Sequence, residues 1–284
     1  MSRFGWFFVL IAVLLTATPF VAKKAVGGGN ATLSVMLGNE LCEMDIEEYV
    51  LRVLISEGQK CQSAETKKAL AVAARSCGMY FALYGMKHGD FDVCSSAECC
   101  LPLGDPKAAS AKQLSEASAA VRETKGIILT LNKLPAMALF TLCASEGTRY
   151  CEEFEYITPI KNEEKCEKHI TVLEYGTLEL SHALQCEKLS DCLFVYGENA
   201  KCAFAIAEHK QVQADFIVSA LSLPSYEFEA ELSNESAVFT VYGAGHGCGL
   251  DLCAADKLAS NGYGYEKILL FYFPNLEINK IYNA

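Results

Sequence analysis

The 284-residue chain has no internal repeat, no low-complexity run and no basic patch. Acidic side chains outnumber basic ones by 35 to 24, leaving a net charge of −11 at pH 7. Without clustered Lys and Arg to neutralise phosphates, nucleic acid is a poor partner. The same balance argues against tight binding to anionic polymers, so a near-neutral polymer is the better candidate ligand. After the first two dozen residues no segment is long and apolar enough to span a bilayer. The glycines of the C-terminal third do not form G-x-G-x-x-G in a phosphate-binding register, and no Gly-Lys-Ser/Thr follows them.

What the chain does carry begins at its N-terminus. Phe4 to Ala22 contains no charged side chain and is mostly Phe, Val, Ile, Leu and Ala. This is close to the roughly 20 apolar residues that cross a membrane. A cleaved signal peptide is the competing reading, but cutting after Ala22 or Ala25 would put Phe20 or Lys23 at the −3 position. An uncleaved single-pass anchor over residues 1–24 is therefore favoured. Arg3 before the span and Lys23 and Lys24 after it leave its orientation open. Residues 25–32, with Gly27-Gly28-Gly29-Asn30, read as a short linker. Residues 33–284 are expected to form the functional domain.

Leu33 to Leu37 predicts a strand, ended by Gly38 and Asn39. Asp45 opens a helix whose apolar stripe is Ile46, Val50, Val53 and Leu54, with Gly58 as its stop. A second helix is predicted over 63–84, ended by Gly85 and containing the small run Ala69 to Ala74. Residues 86–108 read as a cysteine-rich loop, and 110–123 as a third helix. Strands are predicted at 127–131, 136–143 and 237–242, and a helix at about 252–260. Residues 145–235 and the apolar stretch 268–273 carry no clear assignment. The order of elements predicts a mixed α+β domain rather than a regular βαβ sheet.

Three groups of residues suggest chemistry. Glu57 extends the apolar stripe of its helix and sits in the last turn, at the negative end of the dipole. Desolvation and dipole would both favour its protonated form, which suits a general acid acting on a glycosidic oxygen. The plainer reading is a helix-end carboxylate reaching solvent. Arg75 interrupts the small apolar run, and it can approach Glu57 only if residues 58–62 fold the two helices together. It is either an anchor for a carboxylate or sugar, or an ordinary surface arginine. His88, Cys94, Cys99 and Cys100 fall within thirteen residues and could hold zinc tetrahedrally, as a closed structural site. Disulfides or buried thiols are the alternatives, for these and for the rest of the fourteen cysteines. Finally, G-A-G-H-G-C-G-L (Gly243 to Leu250) suggests close backbone approach, with His246 either touching sugar hydroxyls or simply holding the turn.

Taken together, D-I-E-E-Y-V-L-R-V-L-I-S-E with E-T-K-K-A-L-A-V-A-A-R-S, the H-x5-C and Cys99-Cys100 cluster, T-K-G-I-I-L-T with A-L-F, and G-H-G-C-G-L with Y-E-K-I-L-L-F-Y-F-P resemble the stage II sporulation protein D family. The family includes the amidase-enhancer proteins. The resemblance implies a lytic transglycosylase that cleaves denuded peptidoglycan strands between N-acetylmuramic acid and N-acetylglucosamine, leaving 1,6-anhydro ends. It implies Glu57 as the catalytic acid/base, Arg75 and His246 as substrate-binding residues, and zinc on His88, Cys94, Cys99 and Cys100. It further implies a domain outside the mother-cell membrane, facing the forespore. The implied partners are a peptide-removing amidase and a membrane scaffold, acting during engulfment. A non-catalytic glycan-binding or amidase-enhancing module of the same family is the alternative; a thiol or metal protein with no glycan role is a third reading. The chain departs from the family where Gly58 and Gln59 replace Met-Pro, where Ala144 to Arg149 reads A-S-E-G-T-R, and at Asp251-Leu252.

Overall fold

A computed structural model describes residues 31–281, except 86–87, 98, 163–168, 185, 187–191, 197–201, 208 and 234–235. The expected anchor, residues 1–24, lies outside the described residues, as does most of the linker. Among the described residues no helix is long and apolar enough to cross a membrane. The architecture is mixed α+β, with small sheets and seven α-helices among the described residues. The described residues divide into two compact units, one drawn from 31–138, 264–270 and 275–281, the other from 139–263 and 271–274.

In the first unit, β1 (Thr32–Leu37) and β2 (Glu40–Asp45) form an antiparallel hairpin, and β3 (Val93–Cys94) pairs parallel to β1. Helix α1 (Ile46–Glu57) starts where the Asp45 carboxylate accepts the Glu47 amide at 2.8 Å. It buries Ile46, Tyr49, Val50, Val53, Leu54 and Ile55. The helix ends at Glu57 with Gly58 as its C-cap, as expected, although the glycine keeps right-handed backbone (φ −66°) and leads into a 3-10 turn (Gly58–Lys60). Helix α2 (Ala64–Tyr84) is capped by Ser63 and closed by Gly85 at φ 55°. Its residues Ala69 to Ala74 have no exposed surface. Small side chains there let α2 lie deep in the unit: a Cβ on Gly78 would sit 3.0 Å from side chains of both Ile46 and Tyr49. Helix α3 (Ala111–Glu123) opens with a reciprocal Ser110–Gln113 capping box. It leads into β4 (Ile127–Leu131), which pairs with β5 (Leu134–Pro135) and with β14 (Glu277–Lys280).

The second unit includes β6 (Phe140–Thr141), paired parallel with β13 (Leu250–Asp251). A sheet of β11 (Glu227–Leu232), β12 (Ser236–Tyr242) and β7 (Ile170–Gly176) has β12 at its centre. A second sheet contains β8 (Cys192–Tyr196), β9 (Cys202–Ala207) and β10 (Lys210–Gln213). Helices α4 (Thr177–Leu184) and α5 (Ala214–Ala220) supply Leu180, Leu184 and Ile217 to a core around Phe194, Phe228 and Phe239. These three rings meet at centroid distances of 5.4–6.0 Å. Helix α6 (Leu252–Ser260) follows β13 directly. The predicted strand over 136–143 shrinks to Phe140–Thr141; before it, the Ala136 amide donates to the Leu129 carbonyl at 3.0 Å and the Leu139 carbonyl accepts the Leu250 amide at 2.9 Å, isolated bonds to different neighbours and not one continuous ladder. The apolar stretch 268–273 falls largely in a helix, α7 (Tyr265–Tyr272).

The glycine-rich turn has the close approach its sequence predicts. Gly249 has φ +76°, and a Cβ there would drive into the Leu139 carbonyl. Gly247, at φ +71°, has only ordinary contact with Arg149. Gly249→Ala should therefore cost at least about 2 kcal/mol. Gly247→Ala should cost about 1 kcal/mol, the left-handed backbone penalty alone. Urea unfolding of the two variants measures the difference, and equal losses would contradict the packing.

Candidate functional site

Glu57 is the last residue of α1, and its side chain is only 13% exposed. Burial of the stripe beneath it places it there, as the helical spacing predicts. The carboxylate is not isolated, however: Lys60, one turn on and 42% exposed, reaches it at 2.7 Å. A cleft of about 540 Å³ adjoins this helix end. Its walls include Leu54, Gly58, Gln59 and Gln62 from the end of α1 and the turn after it, and Ser110, Gln113 and Glu116 from the start of α3. Lys67 also lines it and is ion-paired with Glu116 at 2.6 Å. The lining is rich in amides, a hydroxyl and charged groups, which suits a hydroxyl-bearing ligand better than an apolar one.

Arg75 is not at the surface, and no part of it is exposed. Its Nη2 donates to Glu47 Oε2 at 2.6 Å, and its Nε donates to both Glu47 oxygens at 3.1 and 3.2 Å. Nη1 donates to the Ile127 carbonyl at 3.0 Å, and Glu47 Oε1 accepts the Gly126 amide at 3.0 Å. One buried ion pair thus ties α1, α2 and the start of β4. The plain surface reading of Arg75 is corrected by this burial. In this conformation it meets a carboxylate of the protein and has no open atom for a sugar. Glu47 was not singled out from the sequence. The signal was available in principle, since an arginine inside a fully apolar run requires an acid from a neighbouring element.

His88, Cys94, Cys99 and Cys100 converge as their spacing suggests. Their ligand atoms all lie within 4.8 Å of one another, and the group could hold a metal ion. His88 Nε2 is 3.3 Å from Cys100 Sγ and 3.5 Å from Cys99 Sγ. Pairing of β3 with β1 fixes Cys94, the amides of Cys99 and Cys100 both turn onto the Ser96 carbonyl, and Phe91 stacks on the His88 ring at 4.3 Å. Among the described residues no disulfide joins Cys94, Cys99 or Cys100.

His246 lies in the second unit. Its Nδ1 accepts the Cys248 amide at 3.1 Å, and its carbonyl accepts from Arg149 Nε at 2.8 Å. Burial, then the Arg149 charge, push its pKa below the usual histidine value, so the ring is neutral near pH 7. Arg149 itself lies 3.8 Å over the Tyr226 ring and pairs with Asp215 at 3.2 Å. Asp251 is fully buried, caps α6 through the Ala254 amide, and accepts from the Ala144 amide and Asn162. Burial raises its pKa above the ordinary aspartate value despite these donors. Arg149 and Asp251 are therefore each built into local hydrogen-bond networks.

Residues 38–131 match the model of a family described as Stage II sporulation protein. Over 258 aligned residues the chain is 26% identical to stage II sporulation protein D of Bacillus subtilis (strain 168), covering 83% of this chain and 74% of that protein. It is 23% identical to stage II sporulation protein D of Bacillus amyloliquefaciens, with the same coverage. The matched residues 38–131 contain Glu57, Arg75 and the His/Cys cluster, and the chain's resemblance to the stage II sporulation protein D family, read first from its motifs, holds in these comparisons.

Proposed function

We propose that this chain acts in sporulation as a peptidoglycan lytic transglycosylase, with Glu57 as its single acid/base. The observation that carries the reading is a largely covered carboxylate at a helix end, beside a polar cleft, in the segment that matches the family. As an acid, Glu57 gives its proton to the glycosidic oxygen while the bond to the muramic acid C1 breaks. As a base, it then takes the proton of the same sugar's C6 hydroxyl, whose oxygen bonds to C1 and closes the 1,6-anhydro ring. No water is consumed, so no second carboxylate is required to activate one. The Lys60 ammonium is exposed, so the pair is screened from that side and worth about 1 kcal/mol. An incoming sugar can displace it, leaving the carboxyl unpaired and dry.

The His/Cys cluster fits zinc. Ligands at Zn–S ≈ 2.3 Å and Zn–N ≈ 2.0 Å around a tetrahedron sit about 3.6 Å apart, close to the nitrogen–sulfur distances observed. His88, Cys94, Cys99 and Cys100 would hold the ion with no open position, so its contribution is to brace the loop against β1. Elemental analysis of protein purified under reducing conditions should find about one zinc per chain. Strong chelators should lower the thermal midpoint, and Cys99→Ser should reproduce that loss without metal.

On this reading the N-terminal segment anchors the chain in the mother-cell membrane facing the forespore. A peptide-removing amidase supplies denuded strands, and a membrane scaffold gathers the two. Denuded glycan strands incubated with the purified domain should shorten. The Glu57–Lys60 pair favours a second reading, in which the protein binds glycan or stimulates the amidase without cutting; strands bound at full length would select it.

A further inference from the structure

The second unit holds a thiol cluster that the glycan chemistry does not use. Cys253 is the second residue of α6, half-buried, just past the Asp251 cap. The parallel pairing of Thr141 with Asp251 carries Cys143 alongside Cys253, and the Cys253 amide donates to the Leu142 carbonyl at 3.0 Å. The Cys143 thiol and the His169 side chain both lie close enough to the Cys253 sulfur to act on its charge. His169 is held at this place by its carbonyl, which accepts the Gly243 amide at 2.7 Å. Asp251 and Tyr272 also face the group. A cavity of about 240 Å³ lies against the same turn, with Ala254, Asn162, Lys257 and Tyr272 among its walls. The Tyr272 hydroxyl is buried and makes no hydrogen bond among the described residues.

The hydrogen bond from Cys143, aided by His169, outweighs burial and the Asp251 charge and brings the Cys253 pKa from 9.0 down to about 6. A sulfur at a helix start beside these groups is placed to favour its ionised form. Cys143, by contrast, is fully buried. The two thiols therefore differ in the way a nucleophilic and a resolving cysteine differ.

We propose that Cys253 is a nucleophile that exchanges with small aliphatic disulfides, and that Cys143, carried beside it by the β6–β13 pairing, resolves the product to give a Cys143–Cys253 disulfide. In the first step the Cys253 thiolate attacks a disulfide RSSR, forming a mixed disulfide and releasing RS⁻. In the second, Cys143 loses its proton and attacks the Cys253 sulfur, releasing the second RS⁻. The external disulfide is reduced to two thiolates, the protein dithiol is oxidised, and one proton goes to solvent.

The test is peptide mapping by mass spectrometry of the full chain after brief exposure to glutathione disulfide at pH 7. A Cys143–Cys253 linked peptide is expected in the wild type, and glutathione stably attached to Cys253 in Cys143→Ser. Alkylation of reduced wild type by iodoacetamide should be about twofold slower at pH 6 than at pH 8 for Cys253, against tens of fold for an ordinary thiol. Absence of the linked peptide, or an ordinary pH dependence at Cys253, would overturn the proposal. Both wild-type readouts stand even if the Cys143→Ser protein fails to fold. Neither depends on glycan cleavage.

Discussion

Glu57→Gln is expected to lower the rate of glycan-strand cleavage by about 10²–10⁴-fold, the range typical of a lost general acid. Glutamine keeps the shape and one hydrogen-bonding oxygen of the side chain but has no proton to give. Because Lys60, the partner of this carboxylate among the described residues, is itself exposed, the folded state should lose about 1 kcal/mol. Binding of uncleaved strands should persist, since the cleft walls of Gln59, Gln62, Ser110 and Gln113 are untouched. Size analysis of strands, paired with a thermal melt of the variant, separates the two effects. Cleavage within tenfold of wild type by a correctly folded Glu57→Gln would remove this residue from the chemistry.

The second large effect concerns stability. Glu47→Ala should destabilise the first unit by about 3–5 kcal/mol, because it strands a guanidinium with no access to water. For a domain of this size that lowers the thermal midpoint by roughly 10 °C. Arg75→Met should cost less, since Glu47 is 12% exposed and keeps the Gly126 amide. Glu47→Ala combined with Arg75→Met should cost less than the sum of the single changes, as no charge is then left unpaired. Thermal or urea melts of the three variants measure this. Additive losses would mean that the pair is not the joint between α1, α2 and β4. Below its midpoint, Arg75→Met should still cleave strands; loss of cleavage in folded protein would return Arg75 to the substrate.

The first three helices are legible in the sequence because their ends are chemically marked. Asp45, Ser63 and Ser110 each offer a side-chain oxygen to an amide that has no helical partner, and Gly85 takes the left-handed backbone. The second strand is not legible: Glu40–Asp45 exposes Glu40, Leu41 and Glu43, so neither face alternates cleanly. Between 145 and 235 the elements are short and their pattern is diluted by exposed apolar residues such as Val172 and Leu178. There the folding signal is nonlocal, resting on Phe194, Phe228 and Phe239 meeting from separate strands. The convergence of His88 with Cys94, Cys99 and Cys100 was legible from proximity in the chain alone. The Glu47–Arg75 pair was not, because helical spacing does not say whether Glu47 or Glu48 faces α2; packing decides it. The Cys143–Cys253 approach likewise depends on a parallel bridge between residues 110 apart in the chain.

The most direct test of the chemistry is cleavage of denuded strands in heavy-oxygen water, with the new ends read by mass spectrometry. If the carboxyl of Glu57 works alone with the sugar's own hydroxyl, every new muramic acid end is a 1,6-anhydro ring and carries no solvent oxygen. New reducing ends bearing the heavy isotope would mean that water is the nucleophile, and the single-carboxylate account would be wrong.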